Sequence, residues 1–430
     1  MTGTTTARRP RLAARTARLR SSDIREILRV VEDPRILSLA GGLPAPASLP
    51  VGRIGVALER ALTRTGPNGA TALQYGPTEG LTELRELVAP GTPGSPALGE
   101  AAQVLVTTGS QQGIDLVVRA LVDEGAPVVV EDPLFLGTRQ VLEAAGARLV
   151  PVPVDEHGLD PDRVAALLAD GLRPALLVCV PNWSNPTGAS LPAERRVALA
   201  RLAERYGFTI VEDDPYHGLG FHPPPTDDSI SRRFSGPQPP ESATKRVVPP
   251  AAVRVHAPDH VVTLASASKM LAPGLRLGFV GAPAWLAPTL ALIKQSVDLH
   301  SPTLNQLVAC DLLADHAFLP AHLAAVRRAN AERAIALRDA LAGVVDAPVP
   351  TGGMFIWGRT AVDTRATFAA AVEAGVAYVP GDAFTVARDG THALRLGFAT
   401  LEPDDLRVAA GRLRSAFATA AARPGVAPLP

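Results

Sequence analysis

Lysine is scarce in this chain. Of its 42 basic residues only Lys245, Lys269 and Lys294 are lysines, and the rest are arginine. Chemistry that needs an amine therefore has three candidates. Lys269 stands out, in SASKMLAPGLRLGFV (266–280). Its neighbours are small or apolar, no acid lies within several residues, and Arg276 follows closely. A desolvated lysine near a second cation has a depressed pKa, which suits Schiff-base chemistry. Ser266, Ser268 and Arg276 add hydroxyls and a forked donor suited to a phosphate. The same stretch would also fit a lysine merely passing along the surface. Lys245 sits in polar, proline-rich sequence and reads as a solvated side chain.

Three other segments carry matching chemistry. VTTGSQQG (106–113) reads as a strand, a small-residue turn and a helix start. It puts Ser110 at a helix N-cap, followed by Gln111, where free N–H groups favour an anion. A capping serine alone is commonplace. PNWSNPTG (181–188) is a rigid turn that presents Asn185, and ordinary turn chemistry accounts for it equally well. EDDPYHGL (212–219) has three consecutive acids, which repel unless something positive sits among them. A solvated rim is one reading. The other is that Asp213 holds a protonated ring nitrogen while Tyr216 meets a neighbouring phenolic oxygen. Together the four segments offer an anion cradle, an amide, a carboxylate and an amine, which are the needs of pyridoxal 5′-phosphate.

Hydrophobic periodicity supplies the elements that would hold these groups together. Short apolar strands are predicted at Val104–Thr107, Val128–Glu131, Arg148–Val152, Ala175–Val180, Phe208–Glu212 and Val261–Ala265. Helix-like stretches separate the first five, at 114–122, Leu134–Ala145, Pro161–Ala169 and Pro192–Tyr206. This rhythm predicts a mostly parallel sheet covered on both faces, with its ligand beyond the carboxyl ends of the strands. Residues 284–343 read as helical. The last 80 or so mix short strands (Met354–Trp357, Ala393–Phe398) with helices (Arg365–Glu373, Pro403–Thr419), a smaller α+β unit. Residues 222–258 hold nine prolines and no period, and read as a long surface loop. Residues 1–20 hold six arginines and no acid. No apolar stretch follows them as a secretory signal requires, so they read as a mobile arm, too short for a folded DNA-binding domain.

Composition bounds the function. A length of 430 residues suits roughly two to three domains. Equal numbers of basic and acidic residues, 42 each, argue against a nucleic-acid or membrane-surface binder. No run approaches the ~18 apolar residues of a membrane span. Cys179 and Cys310 have no local partner, which fits a reducing, cytoplasmic setting and no zinc–cysteine site. Both read as buried fillers.

The chain resembles the class I/II aminotransferases of fold type I, closest to the 2-aminoadipate, kynurenine and multi-substrate subgroup. The likeness runs from SSDIREIL (21–28) and LAGGLPAP (39–46) through QYGPTEG (74–80), GSQQG, EDPLF (131–135), PNWSNPTG, EDDPYHGL and SASKMLAPGLRLGFV to GGMFIW (352–357), YVPGDAF (378–384) and LRLGFA (394–399). It implies an α/β fold: a mostly parallel central sheet flanked by helices, plus a smaller α+β domain. The expected division is an arm (1–20), an N-terminal part of the small domain (21–60), a large cofactor domain (61–300) and a C-terminal small domain (301–430). The resemblance implies that Lys269 carries the cofactor and shuttles a proton, and that Asp213 pairs with the pyridine nitrogen. Asn185 and Tyr216 would hold the phenolic oxygen, and Phe135 would stack on the ring. Ser110, Gln111, Ser266, Ser268 and Arg276 would bind the phosphate, joined by Tyr75 from a neighbouring subunit, which implies a homodimer with shared sites. Arg395 would clamp the substrate α-carboxylate beside the Gly42 N–H, and Arg25 would meet a distal carboxylate. The implied reaction moves an amino group from an L-amino acid to a 2-oxo acid such as 2-oxoglutarate.

This chain departs from the pattern in several places. Phe135 stands where a tyrosine is common, Trp183–Ser184 replaces an aromatic–Gln pair, Gly397 replaces a polar residue, and the 222–258 loop is long. His217, beside Tyr216, reads as a pocket-rim residue or an extra acid/base. These departures bear on substrate choice. They leave open a rival reading, a pyridoxal-phosphate enzyme of the same fold doing cyclisation, elimination, racemisation or oxidation. A regulatory domain without catalysis is the third reading, and it would need a DNA-binding partner domain.

Overall fold

The computed structural model describes residues 12, 13, 16, 18, 33–64, 67–221 and 249–421. Its strands are β1 (Leu37–Ser38), β2 (Val104–Thr107), β3 (Pro127–Asp132), β4 (Arg148–Asp155), β5 (Gly158–Leu159), β6 (Leu176–Cys179), β7 (Thr209–Asp213), β8 (Val261–Ser266), β9 (Gly278–Gly281), β10 (Phe355–Arg359), β11 (Val376–Ala377), β12 (Val379–Pro380) and β13 (Ala393–Gly397). Eight of them form one sheet in the order β2-β9-β8-β7-β6-β3-β4-β5. From β4 through β3, β6 and β7 to β8 every pairing is parallel. β9 runs antiparallel to both its neighbours, and β5 runs antiparallel to β4.

Helices on both faces explain why these strands read as unbroken apolar runs. Successive residues point to opposite faces, and both faces are buried. Val128, Val130, Leu176, Val178 and Val211 pack with Ile114, Val117 and Leu142 on one side. Val129, Leu177, Cys179 and Ile210 pack with Val164, Leu168, Leu199 and Ala203 on the other. Burial also pushes the Cys179 thiol well above its ordinary pKa.

The sequence reading contains no strand at Gly278–Gly281. Two glycines in GFVG hide it, and close packing explains them. A Cβ on Gly278 would come within 2.4 Å of the Gly109 carbonyl carbon and 2.5 Å of the Ser110 nitrogen. The bare backbone of β9 thus lets it press against the turn after β2.

The small domain is built on an antiparallel sheet, β10-β13-β12, with the helices Phe318–Ala340, Thr364–Glu373 and Pro403–Ala421 nearby. β1 pairs in parallel with β11, which draws the N-terminal segment across. One further core cluster joins Val104 and Phe279 of the large sheet to Val308, Leu312 and Leu319, so it runs through the 300/301 boundary expected from sequence.

The loop expected at 222–258 needs a correction at its end. Residues 222–248, Lys245 among them, lie outside the described residues. Residues 249–258 are built into the fold. Val253 and Arg254 are buried. Their N–H groups donate to Glu212 at 2.8 and 3.2 Å. The Arg254 guanidinium donates to the carbonyls of Val261, Gly281 and Ala282. Prolines hid this because the segment is held by side chain and backbone contacts and has no period. Among the described residues no single helix is long and apolar enough to cross a membrane.

Candidate active site

Strand ends converge on one cavity of about 330 Å³. β3 leads to Phe135, β6 to Asn185, β7 ends at Asp213 with Tyr216 beyond, and β8 leads into Ser266, Ser268 and Lys269. The turn after β2 brings Ser110 and Gln111, and β13 brings Arg395 from the small domain. Arg276, Gly42, Leu43, Val180 and Phe355 complete most of the wall. This is the carboxyl edge of the parallel strands, where such sheets bind ligands.

Lys269 donates to the Gly42 carbonyl at 2.7 Å. Burial lowers its pKa to about 8, with Arg395 and then Arg276 adding to the effect. The expected depression is therefore present, though burial and the distant Arg395 outrank Arg276. Gly42 meets the site through its carbonyl here, where the resemblance implied its N–H.

Asp213 is buried, and its Oδ1 has no hydrogen-bond partner among the described residues. Burial first, and the neighbouring Asp214 second, push its pKa up to about 7. The repulsion among the three acids is resolved by pointing them apart. Glu212 takes the N–H groups of Val253 and Arg254 and the Thr263 hydroxyl. Asp214 accepts from Asn182 at 2.7 Å and from the His217 ring at 2.8 Å. Only Asp213 faces the cavity, and it lacks a donor. His217 is turned toward Asp214 and does not line this cavity.

Arg395 is buried between two rings, 4.4 Å from the Phe355 centroid and 5.0 Å from that of Phe384. It donates to Asn185 Oδ1 at 2.9 Å and to the Ala40 carbonyl at 2.5 Å, while its Nε has no partner among the described residues. Burial lowers its pKa to about 10. Asn185 also hydrogen-bonds the Tyr216 phenol, whose pKa burial raises. Asn185 thus links the cation to the phenol.

Around Ser110 the anion cradle differs in detail from the sequence reading. Ser110 is the first residue of its helix, and Gly109, at φ 84°, is the cap. The Gln111 amide donates to the Gly137 carbonyl at 2.8 Å. Arg276 sits at φ 49° and donates to the Thr108 carbonyl at 3.3 Å. A non-glycine residue seldom adopts that left-handed backbone. Ser266 accepts from the Ser268 N–H and caps the short helix that carries Lys269.

The resemblance assigns Tyr75 to a neighbouring subunit's phosphate. Tyr75 is 78% exposed, stacked edge-on to His300 at 5.6 Å, and does not line the wall. Arg25 lies outside the described residues. Trp183 does not form pocket wall either. It sits at φ 44°, packs against Gly352 and Gly353, and donates to the Thr351 hydroxyl at 3.2 Å. Gly397 lies where a Cβ would come within 2.2 Å of the Gly41 carbonyl oxygen, so this backbone admits no polar side chain there.

Sequence reasoning missed Glu131 and Asp298. Glu131 is buried at the end of β3 with a pKa raised to about 8 by burial. Its motif, EDPLF, was visible, but nothing in it says that the carboxyl faces inward. Asp298 holds the turn after β2 from just past the end of the helix Ala287–Val297, 190 residues from Thr108, and no local pattern signals that.

The site suits pyridoxal 5′-phosphate. The unpaired Asp213 oxygen at one end, the desolvated Lys269 amine and the Ser–Arg cradle are the three handles that molecule needs. Comparisons with known proteins agree. The family model described as aminotransferase class I and II matches residues 58–413. A 2-aminoadipate transaminase of Thermus thermophilus is 36% identical over 408 residues, covering 93% of this chain and 94% of its own. An aromatic-amino-acid aminotransferase of Thermococcus litoralis is 33% identical, covering 92% and 91%. Among solved structures, the Thermus thermophilus α-aminoadipate aminotransferase complexed with N-(5′-phosphopyridoxyl)-L-leucine superposes with a TM-score of 0.79 at 33% identity, covering 95% of this chain and 98% of that one. Sequence, fold and site therefore agree that this chain belongs to the class I and II aminotransferases and uses pyridoxal 5′-phosphate.

Proposed function

We propose that the enzyme moves the amino group of an L-α-amino acid to a 2-oxo acid such as 2-oxoglutarate, through Lys269, as a cytoplasmic homodimer. The observation that carries this reading is the juxtaposition of Lys269, the unpaired Asp213 oxygen and the buried Arg395 in one cavity. Pyridoxal phosphate supplies an aldehyde for the amino group and a ring that takes up electrons from Cα.

Each residue then has a task. Ser110, Ser266, Ser268 and Arg276 hold the phosphate, and Gln111 adds its backbone N–H, since its side chain is already bonded to Gly137. Asp213 gives its bare oxygen to the protonated ring nitrogen. Asn185 and Tyr216 hold the phenolic oxygen, and Phe135 packs on the ring. Arg395 binds the substrate α-carboxylate, and the rings of Phe355 and Phe384 keep water from it. Lys269 Nζ takes the proton from substrate Cα. A pKa near 8 leaves a useful neutral fraction for that step.

Leu43, Val180 and Phe355 give the wall an apolar character, which favours aliphatic or aromatic substrate side chains. A distal acid would need Arg25. The relatives' names, 2-aminoadipate and aromatic amino acids, span both kinds. The dimer reading rests on the 43–75 segment, which exposes Leu43, Val51, Leu73 and Tyr75. Tyr75 is then the side chain that serves the neighbouring subunit's phosphate.

The test is an absorbance screen of amino acids for conversion of the bound pyridoxal form to the pyridoxamine form. Stoichiometric conversion, reversed by a 2-oxo acid, is expected. Product formation without conversion would overturn transamination in favour of the rival chemistry.

A further inference from the structure

Behind the phosphate cradle lies a polar assembly that the reaction itself does not use. Asp298 Oδ2 accepts from the Thr108 hydroxyl at 3.0 Å and from the Gln112 amide nitrogen at 2.8 Å. Gln112 Oε1 in turn accepts from the Thr108 N–H at 2.8 Å. The other Asp298 oxygen accepts from Lys294 Nζ at 2.6 Å, and the Lys294 side chain is wholly buried. None of these four side chains lines the cavity. They flank the turn Gly109–Ser110–Gln111, whose Ser110 and Gln111 line it.

We infer that the Lys294–Asp298 pair is a positioning device for the phosphate cradle. It braces the turn 108–112 from the side away from the ligand. The inference rests on the reading that this turn and Arg276 hold the cofactor phosphate.

The physical case has three parts. First, a turn that offers several free N–H groups to an anion binds well only if those groups are already aimed, since ordering them on binding costs affinity. Thr108 is fixed at three points: its carbonyl by Arg276, its N–H by Gln112 and its hydroxyl by Asp298. Second, both ends of the residue 298 side chain accept, Oδ2 from Thr108 and Gln112 and Oδ1 from Lys294, which a carboxylate can do and an amide cannot, since its NH₂ would face the Lys294 ammonium. Third, a lone carboxylate behind a phosphate dianion would repel it. Lys294 offsets that charge, which gives a reason for one of only three lysines to be buried at this place.

The same loop reaches the neighbouring segment. Ser301 Oγ donates to the Val106 carbonyl at 3.4 Å, and the Thr303 hydroxyl donates to the Gln74 carbonyl at 3.1 Å, next to Tyr75. Residues 298–303 therefore fix the end of β2 and the Tyr75 segment together.

The experiment is an absorbance titration of the cofactor-free enzyme with pyridoxal 5′-phosphate and, separately, with pyridoxal, which lacks the phosphate. The variants are Thr108→Val, which cuts one strut and keeps the ion pair, and the double variant Asp298→Leu/Lys294→Met, which removes the acceptor of both struts and leaves no unpaired buried charge. Both should bind pyridoxal phosphate about tenfold more weakly, as expected for one or two lost polar struts. Pyridoxal affinity should change by less than about twofold. Equal weakening toward both ligands would make the assembly merely structural, and unchanged affinity for pyridoxal phosphate would also overturn the inference. Arg276→Ala is the reference. If it erases the preference for the phosphorylated ligand while Thr108→Val does not, the brace is wrong and the cradle stands. If Arg276→Ala leaves the preference intact, the phosphate binds elsewhere and both readings fall.

Discussion

Replacing Asp213 with asparagine keeps the shape of the side chain and removes its charge. In the cofactor-free site the carboxyl has a pKa of about 7 instead of 3.8, because it is buried and the neighbouring Asp214 repels its charge; its Oδ1 also has no donor among the described residues. At about 1.4 kcal/mol per pH unit, ionising it there costs about 4 kcal/mol. A protonated ring nitrogen supplies the missing partner and recovers most of that cost, so it is held protonated. Asparagine can donate to or accept from the nitrogen but cannot stabilise the positive charge. Loss of that stabilisation from the transition state for Cα deprotonation should slow the step by about 10²- to 10⁴-fold, or roughly 3–5 kcal/mol. The assay is single-turnover conversion of the bound cofactor by a good amino acid donor, followed by stopped-flow absorbance, with cofactor occupancy held saturating. Asp214→Asn is the control. Asp214 accepts from Asn182 and His217 and is absent from the cavity wall, so its loss should slow the step far less. If Asp214→Asn were the slower variant, the assignment of the two neighbours would be refuted. If neither changed the rate by more than about twofold, the electrostatic argument itself would be refuted.

Three other outcomes follow from the same geometry. Arg395→Lys should lower kcat/KM by at least about 100-fold for every amino acid, since a lysine cannot reproduce the fork or stack between Phe355 and Phe384; a loss confined to one substrate class would refute the α-carboxylate role. Arg25→Ala should cost about 1–3 kcal/mol in kcat/KM for an acidic donor such as glutamate and much less for leucine, and equal losses would make Arg25 structural. Without cofactor, Asp213 holds its proton up to about pH 7 in the folded chain but only to about pH 4 when unfolded, so it makes stability fall as pH rises between those values. Cofactor-free Asp213→Asn should therefore melt above the wild type at pH 8, with the difference shrinking toward pH 5; a pH-independent difference would contradict the burial argument.

Much of this architecture was legible in the residues, for a physical reason. Parallel strands buried on both faces are mostly apolar, and Leu176–Cys179 and the run of Val128, Val129 and Val130 announce themselves that way. The helices between them carry a 3.6-residue period, so their bounds agree to within about two residues, apart from the first turn of the Ser110 helix. The site was legible because each of its motifs begins where such a strand stops. What escaped detection depends on contacts across long separations. β9 is two glycines and two apolar residues, and only its closeness to Gly109 shows why. Residues 249–258 look like loop because their order comes from Arg254 reaching carbonyls on β8 and β9. The Ser110 cap failed because a left-handed glycine leaves the strand and starts the helix one residue earlier than a serine cap would. Trp183 departs from the family pattern two residues before Asn185, but its left-handed backbone turns the indole toward Gly352 and away from the cavity wall.

The central claim is that Lys269 is the amine that carries the cofactor. Borohydride reduction of the loaded enzyme, followed by proteolysis and mass spectrometry, tests it directly. The phosphopyridoxyl mass should appear on the peptide containing Lys269 and be lost in Lys269→Ala, with no multiple turnover in that variant. Labelling of Lys294 or Lys245 in the wild type, or turnover that survives Lys269→Ala, would contradict it.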